Sequence, residues 1–158
     1  MTVSFLDTDG DGLPDSWEVS NFGNITSQDQ FGDPDGDGMN NLQEFTNVTD
    51  PLTYDGPNTP TPVQPMCGSE IASLQTILVA NNAVDPQGTP LLYHFQLFSD
   101  PGLTILVAEG NNIAQGAGPT TSWPVPVSLL ESARYYWRVR AKDQFTFGPY
   151  SAPACSVF

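Results

Sequence analysis

The chain is poor in positive charge: 4 of its 158 residues are Lys or Arg against 18 Asp or Glu, for a formal net charge of -14. A surface of that sign repels polyanions, which excludes nucleic acid as a partner. Long apolar runs are missing too. Stretches such as Ile77-Leu78-Val79 fall far short of the ~20 residues that cross a bilayer, so no membrane span is expected. Met1 to Asp7 has neither the basic nor the apolar region of a signal peptide, and the expectation is a removed leader or an excised piece of a larger chain. With no zinc-ligand spacing, no glycine-rich phosphate loop and no nucleophile beside a base, the chain reads as a non-enzyme. His94 is the single histidine, and strand alternation places it on the solvent side between inward-facing Tyr93 and Phe95. What the chain does have is 39% hydrophobic and 11% aromatic residues, enough for a folded core rather than a disordered acidic tail.

The acidity is concentrated. Residues 1–55 hold 12 acids and no base, for -12, whereas the remaining 103 residues hold 6 acids and all 4 bases, for -2. Five prolines fall within residues 51–65, the composition of a semi-rigid spacer. The expected division is an acidic module over 1–56, a proline-rich linker over 57–66 and a second domain over 67–158, whose first strand begins as early as residue 60.

Within the acidic module, two stretches repeat at an offset of 26 residues, Asp7 to Glu18 and Asp33 to Glu44. Each has the twelve-residue spacing of a calcium loop. In the first, Asp7, Asp9, Asp11, Asp15 and Glu18 fall at positions 1, 3, 5, 9 and 12; in the second, Asp33, Asp35, Asp37, Asn41 and Glu44 do. Gly12 and Gly38 occupy position 6, and Leu13 and Met39 offer the main-chain carbonyl of position 7. Calcium takes ~6–8 hard oxygen donors, and a short chain surrounds it only if alternate side chains turn inward and a glycine permits the sharp bend. Magnesium, with its smaller octahedral shell, fits so many carboxylates less well. Two Ca²⁺ ions would bring the module from -12 to -8. No amphipathic pattern precedes either loop, so helices are expected only after them, with Trp17, Val19 and Phe22 forming one apolar stripe and Leu42 and Phe45 another.

These loops, closing on Thr49-Asp50-Pro51, resemble the bacterial thrombospondin type-3 repeat over residues 7–51. The resemblance implies a calcium-stiffened spacer of secreted and surface proteins. The loops are also similar to dockerins, but Ser16-Trp17 and Leu42-Gln43 stand where dockerins carry their partner-binding pairs. A module of this size with so few large apolar groups depends on its ions for stability. Calcium at the millimolar levels found outside cells keeps such loops filled, which points to an extracellular or cell-surface location.

From about residue 60 short β-rich runs alternate with turn residues: Leu74 to Ala80, Leu91 to Phe98, Leu103 to Ala108, Thr121 to Val127, Arg134 to Lys142 and Tyr150 to Phe158. The fold class expected is mainly β, a β-sandwich preceded by a small calcium-stabilised loop-helix module. Leu129, Tyr135 and the alternating run to Ala141, followed by Gly148-Pro-Tyr-Ser151, resemble the tyrosine corner and last strands of an immunoglobulin/fibronectin type III-like domain. In that topology Cys67 and Cys155 approach one pole, where a disulfide is expected in an oxidising compartment.

All four bases lie on one strand. Arg134, Arg138, Arg140 and Lys142, with Tyr136 among them, share its outward parity and form a positive stripe. Such a stripe suits an acidic calcium module, the chain's own or that of a neighbouring copy, or another surface protein, since complementary potentials favour oriented head-to-tail contacts. Val3 and Phe5 alternate like a strand that would extend a neighbour's sheet edge. Asn24-Ile-Thr and Asn47-Val-Thr have the N-glycosylation pattern, and Thr59 and Thr61 sit where O-glycans are carried. The combined expectation is an extracellular, calcium-binding structural protein, a unit of a surface fibre, adhesin or scaffold. The alternatives are a non-catalytic spacer or binding module of a larger secreted enzyme, and a dockerin-like docking module.

Overall fold

The computed structural model describes residues 5–66, 68–70 and 75–157, with backbone only at 69, 70 and 155–157. Cys67 and the Cys155 side chain, and with them the expected disulfide, lie outside the described residues, as does the part of the strand expected over Thr2 to Leu6 that precedes Phe5. The chain divides into two units, Met1–Asp55 and Gly56–Phe158.

In the first unit, helix α1 spans Asp15–Phe22 and α2 spans Asn41–Asn47. Pro14 stands at the N-cap of α1 in an extended conformation, and Asp15 and Glu18 put negative charge in its first turn, where the helix dipole favours it. A capping box starts α2: the Asn40 side chain accepts from the Gln43 amide and the Gln43 side chain from the Asn40 amide. Trp17 meets the edges of Phe22 and Phe45, and Phe5 meets Phe45 at 5.7 Å. Phe5 thus packs within its own module and belongs to no strand. Val19 does not join this cluster and is 52% exposed, because two residues of separation put Val19 on the opposite side of the helix from Trp17.

The second unit is a β-sandwich. Its described strands are β1 (Thr61–Gln64), β2 (Ser69–Glu70), β3 (Ile77–Asn81), β4 (Leu92–Phe98), β5 (Leu106–Ala114), β6 (Thr120–Pro124), β7 (Arg134–Lys142) and β8 (Ala154–Val157). One sheet has the order β1-β3-β6 and the other β2-β8-β7-β4-β5, antiparallel throughout except for the β2/β8 pair. Strand β1 lies inside the stretch read as linker. Its Pro62 is tolerated because β1 is an edge strand, where a missing amide breaks no ladder.

Strict alternation along β7 turns Tyr135, Trp137, Val139 and Ala141 into the core. Phe95 of β4 stacks between Trp123 of β6 and Trp137 at 6.0 and 6.1 Å, joining the two sheets. Fully burying a ring of this kind contributes about 1.5–3 kcal/mol. The Leu130 amide donates to the Tyr135 hydroxyl over 3.1 Å, which fixes the corner before β7. With this strand order and corner, the unit has an immunoglobulin/fibronectin type III-like fold.

Strand ends differ from expectation where side chains hold the backbone. The Asp100 carboxylate accepts from the Thr104 and Ile105 amides, so the chain turns where a strand from Leu103 was expected and β5 begins at Leu106. Tyr150 likewise stays out of β8, its hydroxyl bonded to His94 at 3.0 Å.

Candidate metal centre

The two loops adopt the same local structure. Asp7 accepts from the Gly10 and Gly12 amides at 2.7 and 3.1 Å, and Asp33 accepts from Gly36 and Gly38 at 2.9 and 3.1 Å. Asp11 takes the Leu13 amide and Asp37 the Met39 amide, both at 2.8 Å. The backbone closes each loop alike, with Asp15 donating to the Leu6 carbonyl and Asn41 to that of Gly32. Gly12 and Gly38 have φ of 97° and 93°, the left-handed region in which a side chain would be strained.

These bonds leave specific oxygens over. Asp7, Asp9 and Asp11 bring one carboxylate oxygen each within 4.8 Å of one another, and so do Asp33, Asp35 and Asp37. Glu18 is 0% exposed and Glu44 1%, and in each both carboxylate oxygens are buried without a hydrogen-bond partner. Asp11 Oδ2, Asp35 Oδ2 and Asn41 Oδ1 are orphaned in the same way. Burying such groups unpaired is costly, and a hard cation in each loop would offset that cost. The donor set therefore fits calcium: carboxylates at the ring and a long glutamate from the first turn of the following helix. Leu13 and Met39 use their side chains in the small core, which leaves the main-chain carbonyl as the atom each can offer.

Burial raises the Glu18 carboxyl to about 7, assisted by the negative charges of Asp11, Asp9, Asp15 and Asp7. Glu44 is also raised by burial. The nearby Thr49 hydroxyl, bonded to the Glu44 main-chain oxygen, opposes the shift, and Asp37, Asp35 and Asp50 add to it. Asp35 is raised by burial as well.

Two residues of the spacing pattern have other partners. Asp15 accepts from the Thr8 amide and hydroxyl at 2.7 and 2.6 Å, and the Asn41 amide nitrogen donates to the Asp29 carbonyl at 2.7 Å. Conversely, Asp55 lies outside both twelve-residue patterns, yet it places an oxygen within 4.8 Å of Asp37 and Glu44. No loop spacing signals it, since it arrives after α2 and two turns.

On the sandwich, the basic stripe is backed by aromatic rings. The Arg138 guanidinium lies 4.0 Å from the Tyr150 ring centre and bonds Gln96, and that of Arg140 lies 3.7 Å from Phe147. Lys142 also faces Phe147, at 5.2 Å, whereas Arg134 is exposed and Tyr136 half-buried. His94 does not face solvent as expected. It is 7% exposed, because Phe147 and Tyr150 fold over the outer face of β4, and it lies between Glu109 at 3.1 Å and the Tyr150 hydroxyl. The Glu109 carboxyl is held below its usual range chiefly by this histidine. Asn24, Asn47, Thr59 and Thr61 are all exposed.

Fold and site together define a small calcium-binding module joined to an immunoglobulin-like sandwich. Residues 7–23, the first loop with its helix, match the family model of the bacterial TSP3 repeat. No curated protein matches the chain. Among solved structures, the chain is similar to the twitchin kinase region from C.elegans, at 16% identity and TM-score 0.41, over 64% of this chain and 16% of that one. A structure described as a myokine matches at 15% identity and TM-score 0.40, over 63% of this chain and 94% of that one. Extracellular domains 3-5 of Drosophila OTK match at 13% identity and TM-score 0.34, over 62% and 35%. The sandwich assignment rests on strand order and not on these distant likenesses. No described helix is long and apolar enough to cross a membrane.

Proposed function

We propose that the chain is an extracellular, non-catalytic structural unit in which two calcium ions stiffen the acidic module and the sandwich makes contacts with neighbours. The observation that carries this reading is the pair of buried glutamates, Glu18 and Glu44, whose four carboxylate oxygens lack hydrogen-bond partners. Weak loops of this kind stay filled at extracellular calcium levels and empty in resting cytosol. In this reading the unit belongs to a surface fibre, adhesin or scaffold, and its partner is a second copy or another surface protein met through the basic stripe of β7. Exposed Asn24, Asn47, Thr59 and Thr61 are the positions a glycan would take.

A second reading is favoured by one observation: the guanidinium groups of Arg138 and Arg140 already lie on Tyr150 and Phe147 of the same unit. That engagement suits a non-catalytic spacer or binding module of a larger secreted enzyme. Electron microscopy of the purified chain separates the two. Filaments with calcium that disperse in chelator support assembly, while monodisperse particles in both conditions reject it and leave the spacer.

A further inference from the structure

We infer that Asp55 is a ligand of the second calcium site, a carboxylate supplied from outside the loop that makes the two sites unequal. This rests on the calcium reading of the module. The path that brings Asp55 into place is built residue by residue. Helix α2 ends at Asn47, the φ of 60° at Val48 turns the chain back, and the Thr49 amide returns to the Glu44 carbonyl at 3.1 Å. Asp50 then holds a second turn, accepting from the Leu52 amide at 3.0 Å and the Thr53 hydroxyl at 3.1 Å. Asp55, half-buried, thereby returns to Asp37 and Glu44, all three offering oxygens within 4.8 Å of one another.

Three carboxylates at that separation repel unless a cation lies among them. A second, independent feature points to the same ion: Glu44, almost fully buried, has two oxygens with no hydrogen-bond donor. The charge count explains why the second site would recruit an outside group. Its position 9 is Asn41, where the first loop has Asp15, so the loop itself supplies four carboxylates and Asp55 makes five. The corresponding residue one repeat earlier is Asp29, whose carboxylate is bonded to the Phe31 and Gly32 amides instead. Asp15 is turned towards Thr8. The second site, with its extra inward carboxylate, is therefore the tighter of the two, and its ion fastens the chain at the last residue of the module.

Calcium titration of the full chain by calorimetry, with terbium luminescence as a second probe, tests this against variants. Asp55→Asn and Asp55→Ser should each weaken the tighter of two sites by about tenfold or more and leave the other within twofold. Glu44→Gln should remove the same tight site and Glu18→Gln the weak one, whereas Glu131→Gln, which removes one negative charge from the exposed surface of the sandwich, should leave both affinities within twofold. Asp55 variants with both affinities unchanged, while Glu44→Gln still removes one site, would overturn the assignment and leave the calcium module standing. A wild-type chain that takes up neither calcium nor terbium would overturn both.

Discussion

Glu18 and Glu44 stand at the same position of two loops 26 residues apart, and each buries both carboxylate oxygens without a partner. A side chain in that state destabilises the module until a cation arrives, so the effect of neutralising it must change sign with calcium. In chelator at pH 8, Glu18→Gln should leave the protection of residues 15–22 in hydrogen exchange equal to wild type or higher. In calcium at a hundred times the dissociation constant, wild type gains about 2.7 kcal/mol that the variant lacks. A variant that is equally destabilised in both conditions would show that the glutamate serves packing alone.

With Glu18 as the proposed ligand of the first loop, protons and calcium should compete for it. Its folded-state carboxyl is raised from 4.5 to about 7, so the calcium-free fold binds this proton more tightly than the unfolded chain does. That contribution to stability is fully present below pH 4.5 and is lost as the pH rises through about 7. In chelator the module should accordingly be more stable at pH 5 than at pH 8. Calcium affinity of the first loop should run the other way, falling by up to about tenfold per pH unit below 7. Affinity that is flat between pH 8 and pH 5.5 in titrations would contradict this.

The sandwich has a position where no side chain is tolerated. A Cβ built on Gly110 of β5 runs into the Trp123 indole across the core. Gly110→Ala should lower the denaturation midpoint of the sandwich by an amount equivalent to about 1–3 kcal/mol, as overpacked cores do, while calcium binding is retained. Chemical denaturation followed by tryptophan fluorescence reads both sheets at once, since Trp123 and Trp137 flank Phe95.

The stripe can be separated into charge and stacking. Arg140→Ala removes a guanidinium lying 3.7 Å from the Phe147 ring centre and should cost about 0.5–2 kcal/mol in thermal unfolding. Reversing both charges, Arg138→Glu with Arg140→Glu, should abolish calcium-dependent filaments in electron microscopy with the fold kept by circular dichroism. Unchanged filaments in a folded double variant would remove the stripe from the account of assembly.

Local spacing made the loops legible, because the donors of a calcium loop lie within twelve residues and Asp7 to Glu18 and Asp33 to Glu44 each contain the whole pattern. Alternation made β7 legible, since a buried face repeats every second residue. What was hidden comes from elsewhere in the chain. His94 has outward parity, and nothing beside it in sequence announces that Phe147 and Tyr150 cover that face. Asp55 reaches Glu44 only through the turns at Val48 and Asp50. Strand ends were shifted by single side chains, as when Asp100 holds the amides before β5. The exposure of Val19 was readable in principle, since residues two apart never share a helix face.

In the proposed unit each loop holds one calcium ion through its buried glutamate. Equilibrium dialysis at millimolar calcium counts those ions directly. The account requires two per chain in wild type, one in Glu18→Gln and one in Glu44→Gln. A wild-type chain that retains none, or single variants that still retain two, would contradict it.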